Sequence, residues 1–259
     1  MLALNEQAPT VLRANTLKTT PRELIADLND ENVEAFTIKN YPDAIQLAEK
    51  KNVFLTSAFK DGFFEVQDAS SQKIGELLDV QEGMRVVDAC AGAGGKTLHL
   101  AALMKNKGQI IALDIYEWKL TELKRRAKRA GAHNIETRLI SDNKVIKRLH
   151  EKADRLLIDA PCSGLGVLKR NPDSKWKIDQ AFIDRIKGEQ QQILQDYSKI
   201  LKKGGEMIYA TCSILPSENN EQVKLFLSNN PDFTLVKDQK IMPSEGYDGF
   251  YMALIKRNA

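Results

Sequence analysis

The chain has 259 residues, 42% hydrophobic and 28% charged, with a net charge of +3: a globular composition long enough for one large α/β domain with a small companion, and too weakly basic to demand a nucleic-acid partner or to oppose one. Residues 1–10 lack the basic region and apolar core of a signal peptide, and no run approaches the length of a membrane span. Three scattered cysteines, Cys90, Cys162 and Cys212, suit neither a disulfide framework nor a zinc knuckle, so the expectation is a reduced, cytoplasmic monomer without a metal site, its thiols free for chemistry.

Residues 11–15 read as a strand. Thr20-Pro21 opens a helix through Leu24, Ile25 and Leu28, Pro21 being suited to a first turn. Residues 33–38 suggest another strand, and 54–64 are extended or turning around Asp61-Gly62. Residues 1–65 thus form a small α+β module in which no chemistry stands out. A helix starting in Val66-Gln67-Asp68-Ala69-Ser70-Ser71-Gln72 joins it to residues 66–259. After Gly83 a regular alternation begins, with strands at 85–88, 109–114, 135–140, 155–159 and 206–210. Helices at 96–105, 117–130, 143–150 and 180–201 fill the gaps, and such a series implies a parallel, doubly wound sheet. Another helix follows Pro216, and the apolar stretches at 233–236 and 249–255 could close the sheet.

The first turn of that alternation is glycine-rich: Asp88-Ala89-Cys90-Ala91-Gly92-Ala93-Gly94-Gly95-Lys96-Thr97. Glycines let the backbone approach a ligand, and the following helix offers it unpaired N–H groups. The run is neither a Walker A loop nor a Gly-x-Gly-x-x-Gly fingerprint. Asp114 ends the next strand, where an acid commonly holds ribose hydroxyls; Asp142 follows the third strand and Asp159 ends the fourth. Acids at successive strand ends would repel phosphate and point to S-adenosylmethionine rather than NAD or ATP. Any one of them could instead cap the next helix, Asp142 above all.

Two further stretches carry the reacting groups. Asp159-Ala160-Pro161-Cys162-Ser163-Gly164 and Ala210-Thr211-Cys212-Ser213 each put a cysteine just beyond an apolar run read as a buried strand. In one open α/β sheet their carboxyl ends share the ligand-binding edge. Either cysteine alone could be a buried small hydrophobe. None of His99, His133 and His150 follows a strand at that edge, which disfavours a cysteine–histidine hydrolase. Two thiols beside a methyl donor suit another reaction: a thiolate adding to C6 of a pyrimidine makes C5 nucleophilic enough to take a methyl group.

The paired motifs resemble those of the RNA cytosine-C5 methyltransferases of the Nop/Sun group, which includes bacterial 16S ribosomal RNA enzymes. The resemblance continues in Arg13-Ala14-Asn15-Thr16, Gly62-Phe63-Phe64, the 66–72 segment, Arg170-Asn171-Pro172-Asp173 and Asp248-Gly249-Phe250, and so spans nearly the whole chain. It implies a Rossmann-like class I methyltransferase sheet behind an RNA-recognition-like N-terminal module. It also implies Cys212 as nucleophile, Cys162 as the residue that releases product, and a cofactor pocket of Cys90, Ala91, Gly92, Ala93, Gly94, Gly95, Lys96, Asp114, Asp142 and Asp159, with Asp159 also reaching the target base. The substrate it implies is ribosomal or transfer RNA.

Two departures stand out: Gly92-Ala93 replaces the family's usual Ala-Pro, and the N-terminal helical RNA-binding domain of the larger enzymes is expected to be absent. Lys169, Arg170, Lys175, Trp176 and Lys177 form a basic, aromatic run that could line the mouth. The cluster of Lys124, Arg125, Arg126, Lys128 and Arg129 reads first as a solvated helix face. A different class of function, a catalytically idle RNA-binding or ribosome-assembly factor on the same fold, stays open.

Overall fold

A computed structural model describes residues 2–259. The front module contains β1 (Val11–Ala14), α1 (Pro21–Asp30), β2 (Ala35–Ile38), β3 (Tyr41–Leu47), α2 (Ser57–Lys60) and β4 (Phe64–Val66). Its strands form an antiparallel sheet in the order β2-β3-β1-β4. Thr20 caps α1 in a reciprocal box with Glu23, which turns Leu24 and Leu28 onto the module's core. β3 is absent from the sequence reading because Pro42 and Asp43 break its apolar alternation. The 54–64 segment holds a short helix before it turns at Asp61-Gly62 as expected.

α3 (Ala69–Leu78) links this module to the larger layer, its first turn capped by Asp68. Then follow β5 (Arg85–Asp88), α4 (Gly95–Leu103), β6 (Gln109–Asp114), α5 (Glu117–Ala130), β7 (Ile135–Leu139), α6 (Asn143–Lys147) and β8 (Ala153–Asp159). The chain ends with α7 (Gln180–Tyr197), β9 (Leu201–Thr211), α8 (Asn220–Asn229), β10 (Phe233–Ile241) and β11 (Phe250–Arg257). The seven strands order as β10-β11-β9-β8-β5-β6-β7, parallel from β9 to β7 and antiparallel at β10 and β11. The helix expected to reach residue 201 stops earlier: β9 pairs with β8 from Leu201, then bulges through Lys202–Gly205 before pairing resumes at Glu206.

Both faces of this sheet are buried, and alternate residues on each strand go to opposite sides. Val86, Ile110, Ala112, Leu157 and Ile208 pack with α3, α4 and α5. Val87, Ile111, Leu156, Ile158, Met207 and Tyr209 pack with α6, α7 and α8. The strand order reverses between β5 and β8, which opens a crevice at their carboxyl ends. No helix among the described residues is long and apolar enough to cross a membrane.

Buried charge joins the two layers. Glu65 of β4 accepts from Arg126 at 2.7 Å and from Arg129, both on α5. Arg126 also donates to the Ala93 carbonyl at 2.8 Å, and Arg13 of β1 to the Gly95 carbonyl at 2.6 Å and to Gln67. Asn15 completes the seam by donating to the Ala130 carbonyl at 2.7 Å. Two of the five α5 basic residues, Arg126 and Arg129, are therefore internal; Lys124, Arg125 and Lys128 face solvent. Removing Glu65 strands two guanidinium groups that are mostly out of water. Glu65→Ala should cost about 3 kcal/mol or more of unfolding free energy, and a urea titration showing a loss under about 0.5 kcal/mol would mean that the pair is surface-like.

Candidate active site

The glycine turn between β5 and α4 is held from three sides. The Asp114 carboxylate accepts from the Gly92 N–H and the Tyr116 N–H, each at 2.9 Å. Gly94 has φ +89°, and a Cβ there would lie 2.5 Å from Leu123 Cγ, so it packs against α5 and not toward the crevice. At Gly92 and Gly95, by contrast, a Cβ would meet nothing within 4 Å, which leaves open backbone for a ligand.

Two cavities share this turn. One, of about 470 Å³, is lined by Cys90, Gly92, Asp114, Tyr116, Asp159 and both Cys162 and Cys212. The other, of about 260 Å³, is lined by Asp88, Cys90, Ala91, Gly92, Ala93, Gly95, Lys96 and Asp159. A third, of about 290 Å³, lies on the far side of Cys212, walled by Lys96, Gln67, Asp248 and Phe250. A further cavity, of about 600 Å³, opens at the amino ends of β5 and β8, away from every thiol.

Lys96 Nζ meets Asp159 Oδ2 at 2.6 Å. Burial works to lower the lysine pKa, but the charge and hydrogen bond of Asp159 outweigh it and raise it. Asp88 has no such partner: it is 1% exposed, accepts from Thr97 Oγ1 at 2.7 Å, and its Oδ1 has no hydrogen-bond donor. Burial pushes its carboxyl up to about 7. Two adjoining cavities that between them expose Asp88, Asp114 and Asp159, one carboxylate oxygen unpartnered, fit a cationic nucleoside better than a phosphate.

The carboxyl ends of β8 and β9 bring the two thiols together, Cys162 Sγ lying 3.4 Å from Cys212 Sγ. Donation from the Cys162 thiol lowers the Cys212 pKa, helped by Lys96 and opposed by burial and Asp159. The same contact raises Cys162 well above the ordinary thiol value. Cys212 is thus the better thiolate of the pair. Cys90 also lines the pocket, but burial and surrounding carboxylates raise it well above the ordinary thiol value.

Of the residues expected at the cofactor site, Gly94 faces away and Asp142 is not brought to the cavities. Asp142 is exposed at the start of α6, where its Oδ1 caps the Lys144 N–H at 2.7 Å, although Ile140 two residues earlier does line the larger cavity. The basic run after Cys162 divides. Lys169 donates to the Pro243 carbonyl at 3.0 Å, and Arg170 bridges Asp248 at 2.7 Å and Asp68 at 2.8 Å. Lys175, Trp176 and Lys177 are exposed. His99 is buried beside Asp43, and His133 and His150 are exposed, none at the crevice. Arg13, Gln67, Asp88 and Glu218 were not singled out as site residues, since only the fold gives them their neighbours.

The family model for 16S rRNA methyltransferase RsmB/F matches residues 75–256. The chain belongs to that family. A ferredoxin-like domain model of RsmF/B-like methyltransferases matches residues 1–54. Ribosomal RNA small subunit methyltransferase B of Proteus mirabilis is 36% identical over 98% of the chain, which spans 60% of that relative's length. Among solved structures, PH0851 superposes with a TM-score of 0.94 at 32% identity, over 98% of this chain and 61% of that one. A methyltransferase homolog from Pyrococcus horikoshii superposes with a TM-score of 0.87 at 28% identity, over 100% and 89%.

The buried Asp88 generates a pH dependence. Its folded pKa of about 7 lies above the reference value 3.8, so between those values the folded state binds more protons than the unfolded state. Its contribution is present below pH 4 and is lost as pH rises toward 7. Asp88→Asn removes that slope, so the variant should gain on the parent by up to about 1.4 kcal/mol per pH unit across that window. Denaturant titrations from pH 4.5 to 7.5 check this; parallel stability curves would show that Asp88 is ionised throughout.

Proposed function

We propose that this RsmB/F-family chain transfers a methyl group from S-adenosylmethionine to C5 of a cytosine in RNA, through a covalent bond between Cys212 and C6. The observation that carries the reading is the meeting of the two thiols at 3.4 Å, with Cys212 the more acidic, beside an acidic pocket floored by a glycine turn. The names of its relatives favour ribosomal RNA as the substrate. The chain spans about 60% of their length, so substrate choice is part of the proposal.

When bound, S-adenosylmethionine supplies an electrophilic methyl group on a sulfonium. Gly92 and Gly95 let it approach the backbone, Asp114 takes the ribose hydroxyls, and Asp88 and Asp159 offset its positive charge. Asp142, two residues beyond the cavity-lining Ile140, is the remaining candidate for the nucleoside. Cys212 adds to C6 as a thiolate, which makes C5 a nucleophile that takes the methyl group. Cys162, its own proton lost to solvent once Cys212 is bound to C6, then takes the C5 proton as the C6–sulfur bonding pair returns to Cys212, which departs as thiolate. Lys96 holds Asp159 toward the base while its charge favours that thiolate. Residues 1–65 act as the RNA-contacting unit and 66–259 as the transferase.

The two cysteines should therefore fail differently. Cys212→Ser should abolish methylation without any stable protein–RNA adduct, and Cys162→Ala should form an adduct through Cys212 that it cannot resolve. Denaturing electrophoresis with labelled RNA and mapping of the modified cysteine reads both. An adduct through Cys162 in the Cys212→Ser protein inverts the assignment. Activity retained in both variants without any adduct reduces the cysteines to packing residues, and RNA and cofactor binding without turnover in the parent leaves an idle binding factor.

Asp114→Ala should weaken S-adenosylmethionine by at least about tenfold, since a hydrogen bond to a charged group contributes about 1.5–3 kcal/mol. The same change frees the Gly92 N–H. Unchanged affinity by calorimetry in a folded variant would remove Asp114 from the pocket. The C6 attack needs an exposed ring face, so a cytosine in a loop should react faster than the same cytosine in a stable duplex; equal rates would contradict it.

A further inference from the structure

The loops that carry the two thiols have the same local construction. Cys162-Ser163-Gly164-Leu165 and Cys212-Ser213-Ile214-Leu215 each place a serine directly after the cysteine and a leucine two residues later. In each, the serine Oγ accepts from that leucine's N–H, at 3.3 Å in the first loop and 3.1 Å in the second. Both serines are buried, and their hydroxyls lie 3.2 Å apart.

One side chain closes this symmetric arrangement. Glu218, fully buried just before α8, receives the Ser163 N–H at 2.8 Å and the Gln190 amide at 3.1 Å on Oε1. Its Oε2 receives the Ser163 hydroxyl at 2.5 Å and the Ser213 hydroxyl. Gln190, on α7, also donates to the Pro161 carbonyl at 2.9 Å, immediately before Cys162. The next residue, Asn219, donates to the Ser213 carbonyl at 2.9 Å and accepts from Thr211 Oγ1 at 2.5 Å, on the two sides of Cys212. Four donors on one buried group suit a carboxylate, which has lone pairs on two oxygens. Of the residues in these contacts only Pro161 lines the larger cavity, and none is one of the two cysteines.

We propose that Glu218 is a positioning residue that fixes the spacing of Cys162 and Cys212 by binding the serine after each. It sets the 3.4 Å sulfur–sulfur contact from behind, through backbone that cannot move without breaking buried hydrogen bonds. A sheet edge alone leaves two loops free to slide by more than that contact tolerates. The inference rests on the reading of the two thiols as the reacting pair, but the contact can be measured without RNA or cofactor.

The measurement is the rate of iodoacetamide alkylation at Cys212 against pH, followed by site-resolved mass spectrometry. Glu218→Ala strands four donors and should move the Cys212 profile to higher pH, lowering its rate near pH 7 by about three- to tenfold. Cys162→Ala should make a similar shift in the parent and add little in the Glu218→Ala background, because the thiol contact is already lost. Glu218→Gln keeps one acceptor oxygen and should recover part of the effect. If Glu218→Ala does not fold, the Ser163→Ala, Ser213→Ala double variant carries the same test with the carboxylate still present. In the methylation assay these variants should lose kcat with KM for RNA and cofactor unchanged. A folded Glu218→Ala or double-serine variant with the parental Cys212 profile overturns the proposal. A shifted profile in a protein whose parent methylates no cytosine upholds it while refuting the proposed reaction.

Discussion

Much of the active region depends on the ion pair between Lys96 and Asp159. It ties the first turn of α4 to the end of β8, so it bridges the point where the strand order reverses. Both side chains are three-quarters or more out of water, a placement that is unfavourable unless charge and geometry compensate. The 2.6 Å contact supplies that compensation, and the Lys96 charge also lowers the Cys212 pKa. Breaking it would leave Asp159 without its cation beside Asp88, whose buried carboxyl is already raised.

The glycine turn that presents Lys96 does not hold itself. Asp114 fixes its middle, while Arg13 and Arg126 take the Gly95 and Ala93 carbonyls from the opposite side. Arg13 belongs to the front module and Arg126 answers to Glu65 of that same module. The small sheet is therefore part of the ligand site's scaffold as well as a separate surface. Arg13 shows the cost: burial drops its pKa to about 10, and its Nε has no partner. A charge kept under such conditions constrains the turn more tightly than an apolar contact of the same size, because any slippage exposes an unpaired guanidinium.

Linear patterns were legible where one segment contains its own explanation. The strands at β5 and β6 and the helix α5 fall where periodicity puts them, since each has a continuous apolar face and clear ends. The Pro-Cys and Thr-Cys motifs pointed to one edge because parallel strands in one sheet present their carboxyl ends together. Glu218, Asp88 and Arg13 were illegible for the converse reason. Their partners lie 55, 9 and 82 residues away along the chain, so their roles exist only after folding. Charge runs misled in the same way: nothing local distinguishes Arg126 and Arg129, which turn inward to Glu65, from Lys124 and Lys128, which do not.

Two loops of nearly identical construction nevertheless yield unlike thiols. Each cysteine follows a buried strand, precedes a buried serine and is half-buried itself, so neither helix dipole nor accessibility separates them. The difference lies in what stands beyond. Cys212 sits where Lys96, stacked 5.4 Å over the Phe250 ring, reaches it, with cavities on both sides. Cys162 is on one cavity only and has Glu218 among the charges that raise it. The shared contact therefore makes Cys212 the more acidic of the two thiols and Cys162 the less acidic. A pair built this way holds a more acidic and a less acidic thiol within one contact distance, with the asymmetry written in the residues around the loops and not in the loops themselves.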